Sequence, residues 1–93
     1  MEFIDVAWRH DTEPEPIRLV SELDEQRYEM RKLEFFADGR VGFASPASSS
    51  EGTMLGAEPV PPLSELNSDV QFSGSNISSA DFEIMWGRYA RAT

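Results

Sequence analysis

The sequence predicts an α+β fold: a single small domain over residues 1–93, in which an antiparallel four-stranded meander carries a C-terminal helix packed on one face. Three observations point there. The length of 93 residues suits one hydrophobic core and leaves no room for a second domain. The first half alternates apolar and charged residues with the period of a strand, whereas the last sixteen residues show helical spacing. A 40% hydrophobic and 11% aromatic content is enough to offset the entropy of ordering, which excludes a disordered chain.

The opening "FIDVAWRH" reads as a half-buried strand with Ile4, Val6 and Trp8 on one face and Asp5, Ala7 and Arg9 on the other. Core packing is the expected role of Trp8. "DTEPEP" ends this strand, because Pro14 and Pro16 cannot continue a ladder. "IRLVSELD" follows, with Ile17, Leu19 and Leu23 against Arg18, Glu22 and Asp24, and with Val20 and Ser21 breaking the alternation.

A third strand, from about Tyr28 to Phe36, turns back across "ADG" into a fourth, Arg40 to Ala44. A two-residue Asp38-Gly39 turn would place Leu33 and Phe35 opposite in face to Val41 and Phe43. A three-residue loop of Ala37, Asp38 and Gly39, with Gly39 left-handed in a G1 bulge, pairs Phe35 with Val41 and Leu33 with Phe43, and that register is the one expected. Within the third strand the phase slips between Tyr28 and Met30 on one side and Leu33 and Phe35 on the other. Either a bulge near Arg31-Lys32 reconciles them, or both faces of the sheet are covered.

Residues 46–76 are rich in proline, serine and glycine and are predicted to be irregular, with "SPASSSEGT" as a mobile surface loop. "PPLSELN" fits one helical turn, with Pro62 near its start and Asn67 as its stop. The C-terminal helix is placed at 78–91. Ser78 is its N-cap, Asp81 stands at the third position, and Ile77 and Phe82 form a hydrophobic staple. Phe82, Met85, Trp86 and Tyr89 make one apolar stripe facing the sheet, while Arg88 and Arg91 suit the helix dipole.

Seventeen acids against eight bases give a net charge of −9, spread over both halves: eleven acids and six bases in residues 1–45, six and two in 46–93. Such a field opposes binding to nucleic acid or anionic membranes and favours a basic protein partner, although net negative charge also serves solubility alone. The basic trio Arg27, Arg31 and Lys32 is interleaved with Glu29 and Glu34, which argues against a nucleic-acid site. The absence of cysteine excludes disulfides and thiolate metal sites. The acidic start "MEFIDVAW" has neither the basic region nor the apolar run of a signal peptide or anchor, so the expected location is cytoplasmic.

No catalytic motif is present. His10 is the only histidine, and the serines of "SPASSSEG" lack the strand-turn-helix setting of a nucleophile elbow. "HDTEPE" and "ELDE" offer oxygen ligands without the pattern of a calcium loop, and the glycines match no phosphate-binding fingerprint. No catalytic residue, metal or cofactor is therefore assigned. The candidate interaction surface is acidic: Asp11, Glu13, Glu15, Glu22, Asp24 and Glu25. A candidate polar sheet face consists of His10, Arg31 and Glu34.

The blocks "FIDVAWRHDTEPEPIRLVSELDEQRYEMRKLEFFADGRVGFAS", "TMLGAEPVPPLSELN" and "FSGSNISSADFEIMW", with the spacing between them, resemble a family of small acidic bacterial domains of unknown function. The likeness covers nearly the whole chain and is most specific in "SELDEQRYEMRKLEFFADGRVGFA". It implies a bacterial cytoplasmic single domain and transfers no activity. In size and acidity the chain also resembles many immunity proteins that neutralise secreted bacterial toxins. The function expected is a non-enzymatic protein-binding module, of the immunity or inhibitor type, toward a basic toxin or nuclease. One alternative is a small enzyme or ligand-binding domain built around His10, Glu22, Arg31 and Glu34. Another is a subunit that completes its sheet by oligomerisation, the oligomeric state being open.

Overall fold

A computed structural model describes residues 1–12 and 14–90. Its five-stranded antiparallel sheet is formed by β1 (Glu2–Trp8), β2 (Arg18–Leu23), β3 (Glu29–Phe35), β4 (Val41–Ala44) and β5 (Phe72–Asn76), in the order β4-β3-β2-β1-β5. A single helical turn, α1 (Leu63–Leu66), precedes β5, and the C-terminal helix is α2 (Ser79–Tyr89). The first four strands form the expected meander. The count of four strands is corrected to five, since residues 72–76, expected to be irregular, pair along β1 from Ile4↔Asn76 to Trp8↔Phe72. "FSGSN" has little strand propensity of its own. Tertiary pairing with β1 decides its conformation.

The β3–β4 turn has the expected register. Phe35 lies opposite Val41 and Leu33 opposite Phe43, and Gly39 has φ +92°. The Gly39 N–H donates to Phe36 O at 3.0 Å and the Phe36 N–H to Arg40 O at 3.0 Å, the bonding of a bulged three-residue loop. The phase slip in β3 is resolved by a bulge as well as by burial on both faces. Glu22 faces Arg31 while its neighbour Leu23 faces Glu29, so Met30 is the extra residue. The bulge lies just before the expected Arg31-Lys32 position. It turns Glu29, Lys32 and Glu34 to one face and Arg31, Leu33 and Phe35 to the other.

The first face carries α2. Phe82 is fully buried against Val20, Leu33 and Phe43, and Phe3, Ile77, Met85, Trp86 and Tyr89 close around them. The aromatic stripe docks ring by ring: Phe82 lies 5.2 Å from Phe3, Trp86 meets Phe43 edge-on at 5.9 Å, and Tyr89 meets Phe35 edge-on at 5.2 Å. Ser78 caps the helix by accepting from the Asp81 N–H at 3.0 Å. The helix runs Ser79–Tyr89 with Ala90 as its C-cap, shorter than the expected 78–91, and Arg91 lies outside the described residues.

The second face is covered by residues 50–66. Ile4, Val6 and Leu23 are buried there beneath Val60, Leu63, Leu66 and Phe72. "SPASSSEG" is no free loop: Ser45 and Ser48 close a tight turn, Ala44 bridges Ser49, and Ser50 hydrogen-bonds with Phe43. Leu63–Leu66 forms the expected helical turn between Pro62 and Asn67. Arg27, at φ +70°, locks this strap down. Its guanidinium donates to Val60 O (2.8 Å) and Pro61 O (2.9 Å) and pairs with Glu2, while the Val60 N–H donates to its carbonyl.

The β3–β4 turn and the strap each explain one glycine. Gly39→Ala should cost about 1–2 kcal/mol for its left-handed backbone. A Cβ on Gly42 would stand 2.0 Å from Thr53 Oγ1 and 3.2 Å from its Cβ. Gly42→Ala should therefore cost about 1–3 kcal/mol, and less in a Thr53→Ala background. Urea denaturation of the four variants checks both.

Candidate functional site

The β1–β2 connection and the β3–β4 turn meet at one end of the sheet. The Trp8 N–H donates to Ile17 O and the Ile17 N–H to Phe35 O, each at 2.8 Å, which seats the "DTEPEP" loop beside Phe36. His10 stiffens that loop. The Thr12 N–H donates to Nδ1 at 3.0 Å, so the ring hydrogen sits on Nε2, which donates to Pro16 O at 2.7 Å. The imidazole lies 4.3 Å from the Trp8 ring. His10 therefore has a structural role on the loop.

Three adjoining hollows surround this loop end, of about 440, 150 and 220 Å³. Pro14, Phe36 and Arg40 are shared by the first two, Glu15 and Ala37 by the last two, so they form one furrow. Its floor is apolar, with Pro14, Phe36, Val41 and the 40%-exposed Ile17. Its charged lining is Asp11, Glu15, Asp38 and Glu51, against the single guanidinium of Arg40. That guanidinium is already engaged: it stacks 4.7 Å from the Phe36 ring and pairs with Asp38 at 2.8 Å. Bonds from the Arg40 backbone N–H and then its side chain hold the Asp38 carboxyl below its ordinary range. Asp11, Glu15 and Glu51 make no ion pair among the described residues.

The acidic residues singled out in the sequence fall into three places. Asp11 and Glu15 are exposed on the furrow, and Glu13 lies outside the described residues. Asp24 and Glu25 stand at the opposite end of β2, about 20 Å away by strand length. There the Asp24 carboxylate accepts from the Gln26 and Tyr28 N–H groups, both at 2.9 Å, and shapes the β2–β3 turn. Glu22 lies under α2. The His10, Arg31 and Glu34 set is likewise dispersed: His10 is in the loop, Arg31 on the helix face and Glu34 on the strap face.

Arg31 joins sheet to helix. It donates to Glu22 at 2.7 Å and to Glu83 at 2.5 Å, with its guanidinium 4.8 Å from the Phe82 ring and 5.2 Å from that of Trp86. Hydrogen bonds to Glu83 and then Glu22 raise its pKa further, and Arg31 in turn lowers that of Glu83 below the ordinary 4.5. Among the described residues, no group of three acidic or imidazole side chains is arranged to hold a metal ion, and no helix is long and apolar enough to cross a membrane.

A family model, "Domain of unknown function (DUF6881)", matches residues 2–91. The chain belongs to that family. No curated protein and no solved structure matches it.

In this DUF6881 domain the residues that sequence reasoning missed lie where the strap meets the sheet. Lys32 is 7% exposed and sits between Glu29 (3.2 Å) and Glu34 (3.5 Å). The Thr53 hydroxyl donates to Glu34 at 3.1 Å and the Gly56 N–H to Glu29 at 2.5 Å. In sequence these charges look solvated; the phase slip in β3 was the one signal that they face a covered side.

The folded-state carboxyl of Glu83 has a lowered pKa, so its contribution is present above the ordinary value and is lost as pH falls through the folded one. Glu83→Gln should cost roughly 0.2–1 kcal/mol near pH 7, as for an exposed pair. The gap from the parent should narrow as pH falls through the folded-state titration of Glu83, measured by urea unfolding at pH 7 and across the acid range.

Proposed function

We propose that this domain is a protein-binding module that engages a basic partner through the furrow at the loop end. The observation that carries the reading is the way charge is distributed. Arg18, Arg27, Arg31, Lys32 and Arg40 are each paired with one of the chain's own carboxylates, whereas Asp11, Glu15 and Glu51 stand around an apolar floor without an ion pair. An unneutralised acidic rim raises the encounter rate with a cationic surface, and Phe36, Pro14 and Ile17 supply the apolar contact that holds it. Small size and net negative charge fit the more specific reading of an immunity or inhibitor protein for a basic toxin or nuclease.

The experiment places a photocrosslinking amino acid at Glu15, at Phe36 and, as a control, at the exposed Ile84 of α2, in the native cell. A basic protein crosslinked from Glu15 and Phe36 but not from Ile84 supports the furrow. Combined Asp11→Lys, Glu15→Lys and Glu51→Lys substitution should leave the fold intact and slow association at least about tenfold at low salt, with less effect at high salt. Capture from Ile84 alone, or an on-rate untouched by charge reversal, overturns the reading.

A further inference from the structure

The strap side of the sheet contains a second hollow, of about 170 Å³, on the opposite face from α2 and separate from the furrow. Its floor is the buried trio Ile4, Val6 and Ser21, and half-buried Leu19, Val60, Leu66 and Phe72 form its rim. The pocket is mostly apolar and partly open to solvent.

Two polar features in this pocket lack counterparts. Ser21 is 3% exposed, faces the pocket between its cross-strand neighbours Ile4 and Lys32, and its hydroxyl makes no hydrogen bond among the described residues. The hydroxyl oxygen keeps some accessible surface on the pocket side, where it is free to hydrogen-bond a bound polar group. The second feature is charge. Glu29 lines the pocket, and with Glu34 it shares the single cation of Lys32, so the buried cluster holds two carboxylates against one ammonium. The side chains concerned are only 9–13% exposed. The contacts of the Glu29 carboxylate with the Gly56 N–H and with Lys32 are both made by Oε1, and Oε2 makes no hydrogen bond among the described residues.

We propose that this pocket binds a small primary amine with a short apolar tail. The ammonium donates to Glu29 Oε2 and to the Ser21 hydroxyl, and the tail lies among Ile4, Val6, Leu66 and Phe72. The volume suits such a ligand, since a dry cavity of about 150 Å³ holds a molecule the size of benzene. A second positive charge balances the surplus carboxylate of the cluster, which neither an alcohol nor a hydrocarbon does. Leu66 on α1 and Val60 on the strap contribute to the rim, so occupancy also fixes residues 50–66 on the sheet.

The test is a titration with n-butylammonium chloride, 1-butanol and benzene as probes, followed by backbone amide NMR and thermal melting. Saturable shifts at Ser21, Glu29 and Val60, with n-butylammonium preferred over both neutral probes and a raised Tm, are expected. Ser21→Ala should weaken the amine by roughly threefold to tenfold, the worth of one hydrogen bond. Leu66→Phe, which fills the pocket with apolar volume and leaves the polar cluster intact, should abolish binding while keeping the folded spectrum. If Ser21→Ala does not fold, Leu66→Phe and the ranking of the probes still decide the matter. Equal binding of benzene and n-butylammonium, shifts that persist in Leu66→Phe, or no saturable shift would each overturn the proposal, the last leaving water alone as the occupant.

Discussion

The bulge at Met30 is the constraint on which the rest of the structure depends. Without it, β3 would keep one phase from Glu29 to Phe35, and Glu29 would share a face with Arg31, Leu33 and Phe35. The extra residue instead moves Glu29 beside Lys32 and Glu34 and leaves Arg31 under the helix. Each face thereby receives a core and a cation that ties a covering element to the sheet. Arg31 holds α2 through Glu83, and Lys32 orders the carboxylates that receive Thr53 and Gly56 of the strap.

A sheet covered on both sides explains why its middle strand reads irregularly. β2 lies between β1 and β3, with Val20 fully buried toward α2 and Ser21 and Leu23 buried toward the strap. A strand buried on both faces loses the alternation that a half-exposed one shows. The same covering consumes the basic residues. Buried or half-buried guanidinium and ammonium groups need carboxylate partners, and Arg18, Arg27, Arg31 and Lys32 are matched internally. The acids left over lie mostly in the loops and in the first turns of the helices, at Glu65 and Asp81, which gives the outer surface its sign.

The sequence made legible whatever local chemistry controls: the Gly39 turn and its register, the Ser78 cap, the aromatic stripe of α2, and the helical turn after Pro62. Elements fixed by distant pairing were hidden. "FSGSN" becomes β5 only because β1 presents an open edge, and Val60, Leu63 and Leu66 sit too far apart in a proline-rich context to announce a second core. The candidate site was half visible. Asp11 and Glu15 were named from charge, but Phe36, Glu51 and Arg40 join them only through the folding of three separate loops, and Glu22 and Asp24 were already committed to internal bonds.

Side chains and backbone from neighbouring loops close part of each border of the sheet. At the β5 edge the Asn67 side chain takes both outward groups of Gly74, accepting from its N–H at 2.6 Å and donating to its carbonyl at 3.0 Å. At the β4 edge Ser50 occupies Phe43 in a mixed way, its hydroxyl accepting the Phe43 N–H at 2.9 Å and its backbone N–H donating to the Phe43 carbonyl at 2.8 Å. A side chain that satisfies an edge strand in this way removes the template on which another strand would pair. The groups of Gly74 and Phe43 are thereby occupied in the middle of the two edges. The ends of the sheet remain, and they differ. At the β2–β3 end, Asp24 and Arg27 are committed to the turn and the strap. At the other end, apolar floor and unpaired carboxylates lie side by side, the combination from which a steered and then desolvated contact is built.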